Sequence, residues 1–130
     1  MAAPTRGRPR PVYLNLLAIR MPAPAIASIL HRVSGALLFL VGVPVALWAL
    51  QASLAQPEAY AAFRSFVAQP LVKLVLLGLV WAYLHHLFAG LRHVLQDVHV
   101  GAELKPSRQT AVLVIVAALA VTLVVGVRAW

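Results

Sequence analysis

Three long stretches of this chain, residues 33–55, 74–91 and 110–127, contain no Asp, Glu, Lys or Arg. Each is close to the ~20 residues a helix needs to cross ~30 Å of hydrocarbon. With 62% apolar and 11% charged residues, the chain lacks the charge that would cover a soluble domain of its size. Three such stretches in 130 residues make one compact helical unit and leave little chain for a separate soluble domain. The expected fold is an all-α membrane protein with three transmembrane helices running up, down and up.

The formal net charge of +8 does not point to nucleic acid. The basic residues sit at the chain ends and helix flanks, with no soluble surface to join them into a continuous patch. Their distribution reads as topology instead, since Lys and Arg gather on the cytoplasmic side of a membrane. Arg6, Arg8, Arg10 and Arg20 precede the first apolar stretch, and Arg92, Lys105 and Arg108 flank the connection between the second and third. The connection between the first and second holds Arg64 and Glu58, with Lys73 just inside. The bias puts the N-terminus and the second loop on the cytoplasmic (or matrix) side. The start is not expected to be a cleaved signal, because its first apolar stretch begins beyond Arg20 and is too long for a signal core. Absence of cysteine excludes disulfides, zinc–thiolate sites and iron–sulfur ligation by this chain.

Residues 1–23 are expected to form a basic arm. Pro4, Pro9 and Pro11 forbid a regular helix through its middle, and residues 13–20 suit a short interfacial helix with Tyr13 at headgroup depth. Residues 24–130 then form the transmembrane domain, with helices at about 24–55, 70–98 and 108–128. Pro44 is expected to bend the first helix, and residues 59–67 suit a short interfacial helix in the outer loop. The third helix holds no ionisable residue at depth and reads as packing and lipid-facing surface. Arg128 and Trp130 read as interfacial anchors.

Ionisable groups inside a membrane are costly and point to function. Here they collect at one leaflet: His31 and Arg32 on the first helix, and His85, His86, Arg92, His93 and Asp97 on the second. His86, Gly90, His93 and Asp97 are spaced by four, three and four residues and share one helix face. His85 is turned from His86 by about 100°. Gly90, one turn from His86, leaves room for a large flat ligand or a neighbouring backbone. A deep histidine beside a small residue suits an axial haem ligand. Eleven residues, about 16 Å of helix, separate His86 from Asp97 at the interface. His31, Arg32 and His93, nearer the interface, suit haem propionates. Plainer roles remain open at this stage. A membrane histidine also serves as an interhelical hydrogen-bond partner, Arg92 also reads as a snorkelling anchor, Ser28 and Ser34 as packing hydroxyls, and His99 as a loop residue.

Three segments carry a family resemblance. Residues 26–35 read Ile-Ala-Ser-Ile-Leu-His-Arg-Val-Ser-Gly, residues 90–97 read Gly-Leu-Arg-His-Val-Leu-Gln-Asp with His86 four places ahead, and residues 10–16 read Arg-Pro-Val-Tyr-Leu-Asn-Leu. In this order they closely resemble the cytochrome b556 subunits of succinate dehydrogenase. The resemblance covers nearly the whole chain, and its motifs are specific in combination and weak singly. It implies one of two hydrophobic anchor subunits that hold a flavoprotein and an iron–sulfur subunit at a bacterial inner membrane, or a mitochondrial one in a eukaryote. Haem b then lies between the anchors with one axial histidine from each, and ubiquinone accepts electrons from succinate at the membrane boundary. By position His86 matches the axial ligand, Ser28 and Arg32 match quinone contacts, and His31 and Arg32 lie beside the propionates, with Gly90 and His93 in the pocket. Arg32 would favour negative charge on a quinone being reduced, and Ser28 would donate a hydrogen bond to its carbonyl. The sequence departs from the bacterial pattern at 85–86, where His-His stands in place of Tyr-His, so a slip of one residue would choose His85. Three other readings stay in play: a self-contained cytochrome ligating haem through His31 and His86, a small proton-coupled transporter subunit, and an assembly scaffold without cofactor.

Overall fold

The computed structural model describes residues 19–130; the expected interfacial helix at 13–20 falls almost entirely outside the described residues. The described residues form α1 (Ala23–Leu37), a π-helical turn (Leu38–Gly42), α2 (Val43–Leu54), α3 (Pro57–Val67), α4 (Pro70–Asp97) and α5 (Leu104–Ala129), with no strand among them. Three continuous helices, Ala23–Leu54, Pro70–Asp97 and Leu104–Ala129, are long and apolar enough to cross a membrane. Prolines stand at the first or second position of α1, α3 and α4. There the missing N–H would have had no partner in the helix anyway.

Pro44 acts on the first span through the π-turn immediately before it. The Val43 N–H bonds back to the Leu38 carbonyl, one residue further than in an α-helix. The wider turn absorbs the displacement that a proline ring forces on the preceding turn. The two halves of the span then have different neighbours. α1 packs on both α4 and α5, whereas α2 contacts only the π-turn and α3. Trp48 of α2 meets Phe63 and Phe66 of α3 edge to face, at 5.5 Å each. Behind these rings a wholly apolar cavity of about 600 Å³ opens towards Leu71, Val75 and Leu79 of α4.

The third span begins at Leu104, earlier than the expected residue 108. Pro106 lies within its first turn and therefore starts the helix instead of delaying it; the first bond is Ser107 N–H to the Glu103 carbonyl, at 2.9 Å. The connection is tight because α4 ends in a Schellman motif. Val100 N–H bonds to Leu95 O and His99 N–H to Gln96 O, at 2.9 Å each. His99 holds the left-handed position at φ 64°, and Gly101 follows at φ 72°. The outer end is tied by the Lys73 Nζ donating to Ala129 O at 3.0 Å, with the ammonium over the Trp130 ring at 5.2 Å.

The core is made of small residues. Ala27 and Ser34 of α1, Ala82, His85, Ala89 and Arg92 of α4, and Ala111, Val114, Ala118 and Thr122 of α5 are buried. On α4 and α5 these positions recur every three or four residues, one seam per helix. Leu, Val and Phe side chains point outward instead, as at Phe39, Leu71, Leu113 and Val127. This is the arrangement expected in lipid, where helix pairing gains from close backbone approach and nothing is gained by hiding leucine. Replacing Ala118→Leu is expected to lower stability by about 1–3 kcal/mol through overpacking, read as a fall in the thermal midpoint of the detergent-purified protein. Val124→Ile, on the exposed face, is expected to leave it unchanged. Equal midpoints for the two variants would remove the seam.

Candidate cofactor-binding site

The expected α4 face is formed, and α1 packs onto it. His86, Gly90 and His93 line up beneath His31. The His31 ring stacks on His86 with centroids 4.2 Å apart and planes 13° from parallel, and it meets His93 at 5.0 Å in a tilted contact. A methyl group built on Gly90 would stand 3.6 Å from His31 Nε2. The imidazole of His31 thus lies over Gly90 at a distance that would leave an added methyl in ordinary van der Waals contact; the spacing argument did not place that side chain there.

His86 is also fixed from its other edge. Its Nδ1 lies 3.1 Å from the His31 carbonyl oxygen and 3.4 Å from Ser34 Oγ. The Ser34 hydroxyl in turn donates to the same carbonyl at 3.0 Å. A methyl group on Gly35 would come within 2.7 Å of His86 Cε1, closer than real carbon contacts allow. Among the described residues nothing bonds to His86 Nε2. Ser34 and Gly35 were not read as site residues from the sequence, although the signal was there: they lie three and four places after His31 and so share its face. Ser28 is half-buried and Arg32 exposed, one turn apart on the flank of α1. Asp97 ends the α4 face and is exposed, and His99 is an exposed loop residue.

His85 and His86 have opposite surroundings. The His85 side chain is fully buried between the helices and stacks on Trp81 at 5.4 Å, 16° from parallel. Neither of its ring nitrogens, nor Trp81 Nε1, has a hydrogen-bond partner among the described residues.

Arg92 turns away from the histidine cluster. It is 7% exposed, and its guanidinium donates to Thr110 Oγ1 at 3.1 Å, Ser107 O at 3.1 Å and Ser107 Oγ at 2.9 Å. Gln96 adds a bond to Ser107 Oγ at 3.2 Å. The residue is a staple between α4 and α5, neither a snorkelling anchor nor part of the histidine site. One position of helix rotation separates it from His93, enough to send the two side chains to different neighbours.

No group of three or more His, Cys, Asp or Glu side chains converges on a bare-ion site among the described residues. What the cluster offers is one imidazole with an open nitrogen, that of His86, with the His31 ring stacked on it and His93 in contact with His31.

The family model for the succinate dehydrogenase/fumarate reductase transmembrane subunit matches residues 6–125. A succinate dehydrogenase cytochrome b556 subunit from Paracoccus denitrificans is 35% identical over 111 residues, covering 85% of this chain and 84% of its own. A protein of the same name from Coxiella burnetii is 34% identical over 122 residues, covering 93% of this chain and 97% of its own.

Arg92→Met keeps the length of the side chain and removes its bonds to α5. It is expected to lower stability by about 2 kcal/mol, seen as faster proteolysis of the 98–103 turn in detergent. Cleavage at the parental rate would show that the three bonds hold nothing.

Proposed function

The chain belongs to the succinate dehydrogenase/fumarate reductase transmembrane subunit family, and from that membership we propose that it carries haem b and part of a ubiquinone site in a succinate dehydrogenase. As a multi-pass membrane subunit it works within a complex. In this reading its partners are a second hydrophobic anchor, an iron–sulfur subunit and a flavoprotein, at a bacterial inner membrane with the N-terminus cytoplasmic. The chain performs no succinate chemistry itself. The observation that carries the reading is His86, held by α1 through Nδ1 with Nε2 left open.

The residues fit a haem. The macrocycle brings its own equatorial nitrogens, so the protein must supply only axial ligands. His86 can supply one, and the partner anchor would supply the other. His85 is sealed among the three helices, out of reach of a flat ligand, which favours His86 where the sequence left both open. His31, His93 and the exposed Arg32 lie on the same side and provide donors and positive charge for propionates. A bound haem would supply a reversible one-electron carrier at its iron. The chain's part is to fix the ligand ring, exclude bulk water from it with packed helices, and hold cationic groups at the membrane edge.

Ser28 and Arg32 are the quinone contacts of this reading. They share a flank of α1 at the same leaflet as the histidines. The Ser28 hydroxyl donates to a quinone carbonyl, and the Arg32 guanidinium stabilises negative charge as that carbonyl is reduced.

The closeness of His31 and His86 raises the alternative of a cytochrome complete within this chain. Axial ligands on opposite sides of one haem aim their nitrogens at each other. Here the two rings lie face to face, so that arrangement requires one of them to leave its contacts. A proton-coupled transporter has less support, since Asp97, Glu58 and Glu103 are all exposed and none lies at depth where coupling would need it.

In the complex purified from membranes, His86→Ala is expected to lose most of the low-spin haem absorbance while the subunits still co-purify. Ser28→Ala and Arg32→Ala are expected to slow quinone reduction by about 10- to 1000-fold, with electron transfer from succinate to an artificial soluble acceptor unchanged. An unaltered haem spectrum in the first variant ends the ligand assignment, and parental quinone kinetics in the other two end the quinone assignment.

A further inference from the structure

We infer that Ser34 and Gly35 are positioning residues that make α1 a seat for the His86 ring, fixing both its tautomer and its rotation so that only Nε2 is presented. The inference rests on His86 being the haem ligand.

The tautomer follows from the partners. A carbonyl oxygen only accepts hydrogen bonds, so at 3.1 Å from the His31 carbonyl the His86 Nδ1 must carry the proton. The neutral imidazole then keeps its lone pair on Nε2, the atom a metal requires. Ser34 reinforces this. Its single hydroxyl proton is directed to the His31 carbonyl at 3.0 Å, which leaves its lone pairs facing Nδ1 at 3.4 Å. Ser34 is 1% exposed, so the network is shielded from competing water. Such outer partners orient a ligating imidazole and raise its basicity.

The rotation is set by Gly35. Its missing side chain is the clearance that Cε1 occupies: a methyl there would lie 2.7 Å from Cε1, 3.2 Å from Nδ1 and 3.7 Å from Nε2. The atoms it would strike form the end of a side chain, not backbone. The helices can therefore keep their packing while the ring is pushed aside. One face of the ring is capped by His31 at 4.2 Å. The ring is thus bounded on its Nδ1 edge, at Cε1 and on one face, all by α1, and open at Nε2.

The test uses the complex purified from membranes and compares Gly35→Ala and Ser34→Ala with Gly78→Ala. Gly78 is a glycine of α4 with nothing within 4 Å of an added methyl. The readouts are subunit yield, haem per complex, haem midpoint potential and the low-temperature EPR signal of the ferric haem. Gly35→Ala is expected to assemble in parental yield and to hold haem roughly tenfold or more weakly, with a displaced EPR signal. Ser34→Ala is expected to keep its haem but to shift both the EPR signal and the midpoint potential. Gly78→Ala should match the parent in all four. A Gly35→Ala complex with parental haem content, potential and EPR signal overturns the seat. If that variant fails to accumulate, Ser34→Ala decides, because it removes an oxygen and adds no clash: parental EPR and potential overturn the inference, and shifted values support it. Retention of haem by His86→Ala is a different failure, that of the ligand assignment itself.

Discussion

In hydrocarbon, hiding a leucine gains nothing, so everything in this structure depends on how closely helix backbones can approach. The alanines, Ser34, Thr122 and Gly35 permit that approach where α1, α4 and α5 meet. Where they end, the bundle opens. Beyond the π-turn before Pro44 the first span leaves α4 and α5, and the space is taken by the aromatic side chains of α3 and an apolar cavity. The polar residues therefore lie in the tightly packed half, where bonds between helices are short and water is excluded. The site is a by-product of the same close packing that holds the helices together.

Four consecutive residues, Gly-Leu-Arg-His at 90–93, show how one motif divides its work. Gly90 and His93 face α1 and the His31 ring, Arg92 is buried against α5, and Leu91 is exposed. A rotation of about 100° per residue lets each neighbour serve a different surface. Grouping Arg92 with the histidines by sequence proximity alone gives it the wrong partner. Its charge is instead used as a multiple donor to neutral oxygens of Ser107 and Thr110, which the Schellman turn and the early start of α5 bring alongside it.

The spans, their order and the shared face of His86, Gly90 and His93 were legible because they follow from run length and helical period. The outer-loop helix was legible to within two residues, since Pro57 belongs to its first turn. The start of α5 lies four residues ahead of the expected 108 because Pro106 falls inside the first turn of the helix. What could not be read was azimuth between helices. The sequence shows that His31 lies at the right leaflet, but not that its ring would lie over Gly90 and stack on His86. Nor does a run of apolar residues reveal that His85, rather than His86, would be enclosed. Those outcomes depend on which seam of α1 meets α4, and that is decided by where the alanines, Ser34 and Gly35 allow contact.

A chain with this exterior is physically incomplete on one side. Acyl chains can cover Phe39, Leu71 or Val127 at no cost, but they have no group to offer the open nitrogen of His86 or the neighbouring imidazoles. Polar side chains at membrane depth persist when they are paired or bound to something. His85 meets that demand badly, and it is the one shut away in the core against Trp81. His86 meets it halfway: its Nδ1 is satisfied by α1, and its Nε2 awaits a partner from outside the three helices. The haem proposed above would supply that partner, its iron taking the lone pair of Nε2. It would also cover a part of the packed half that lipid cannot serve.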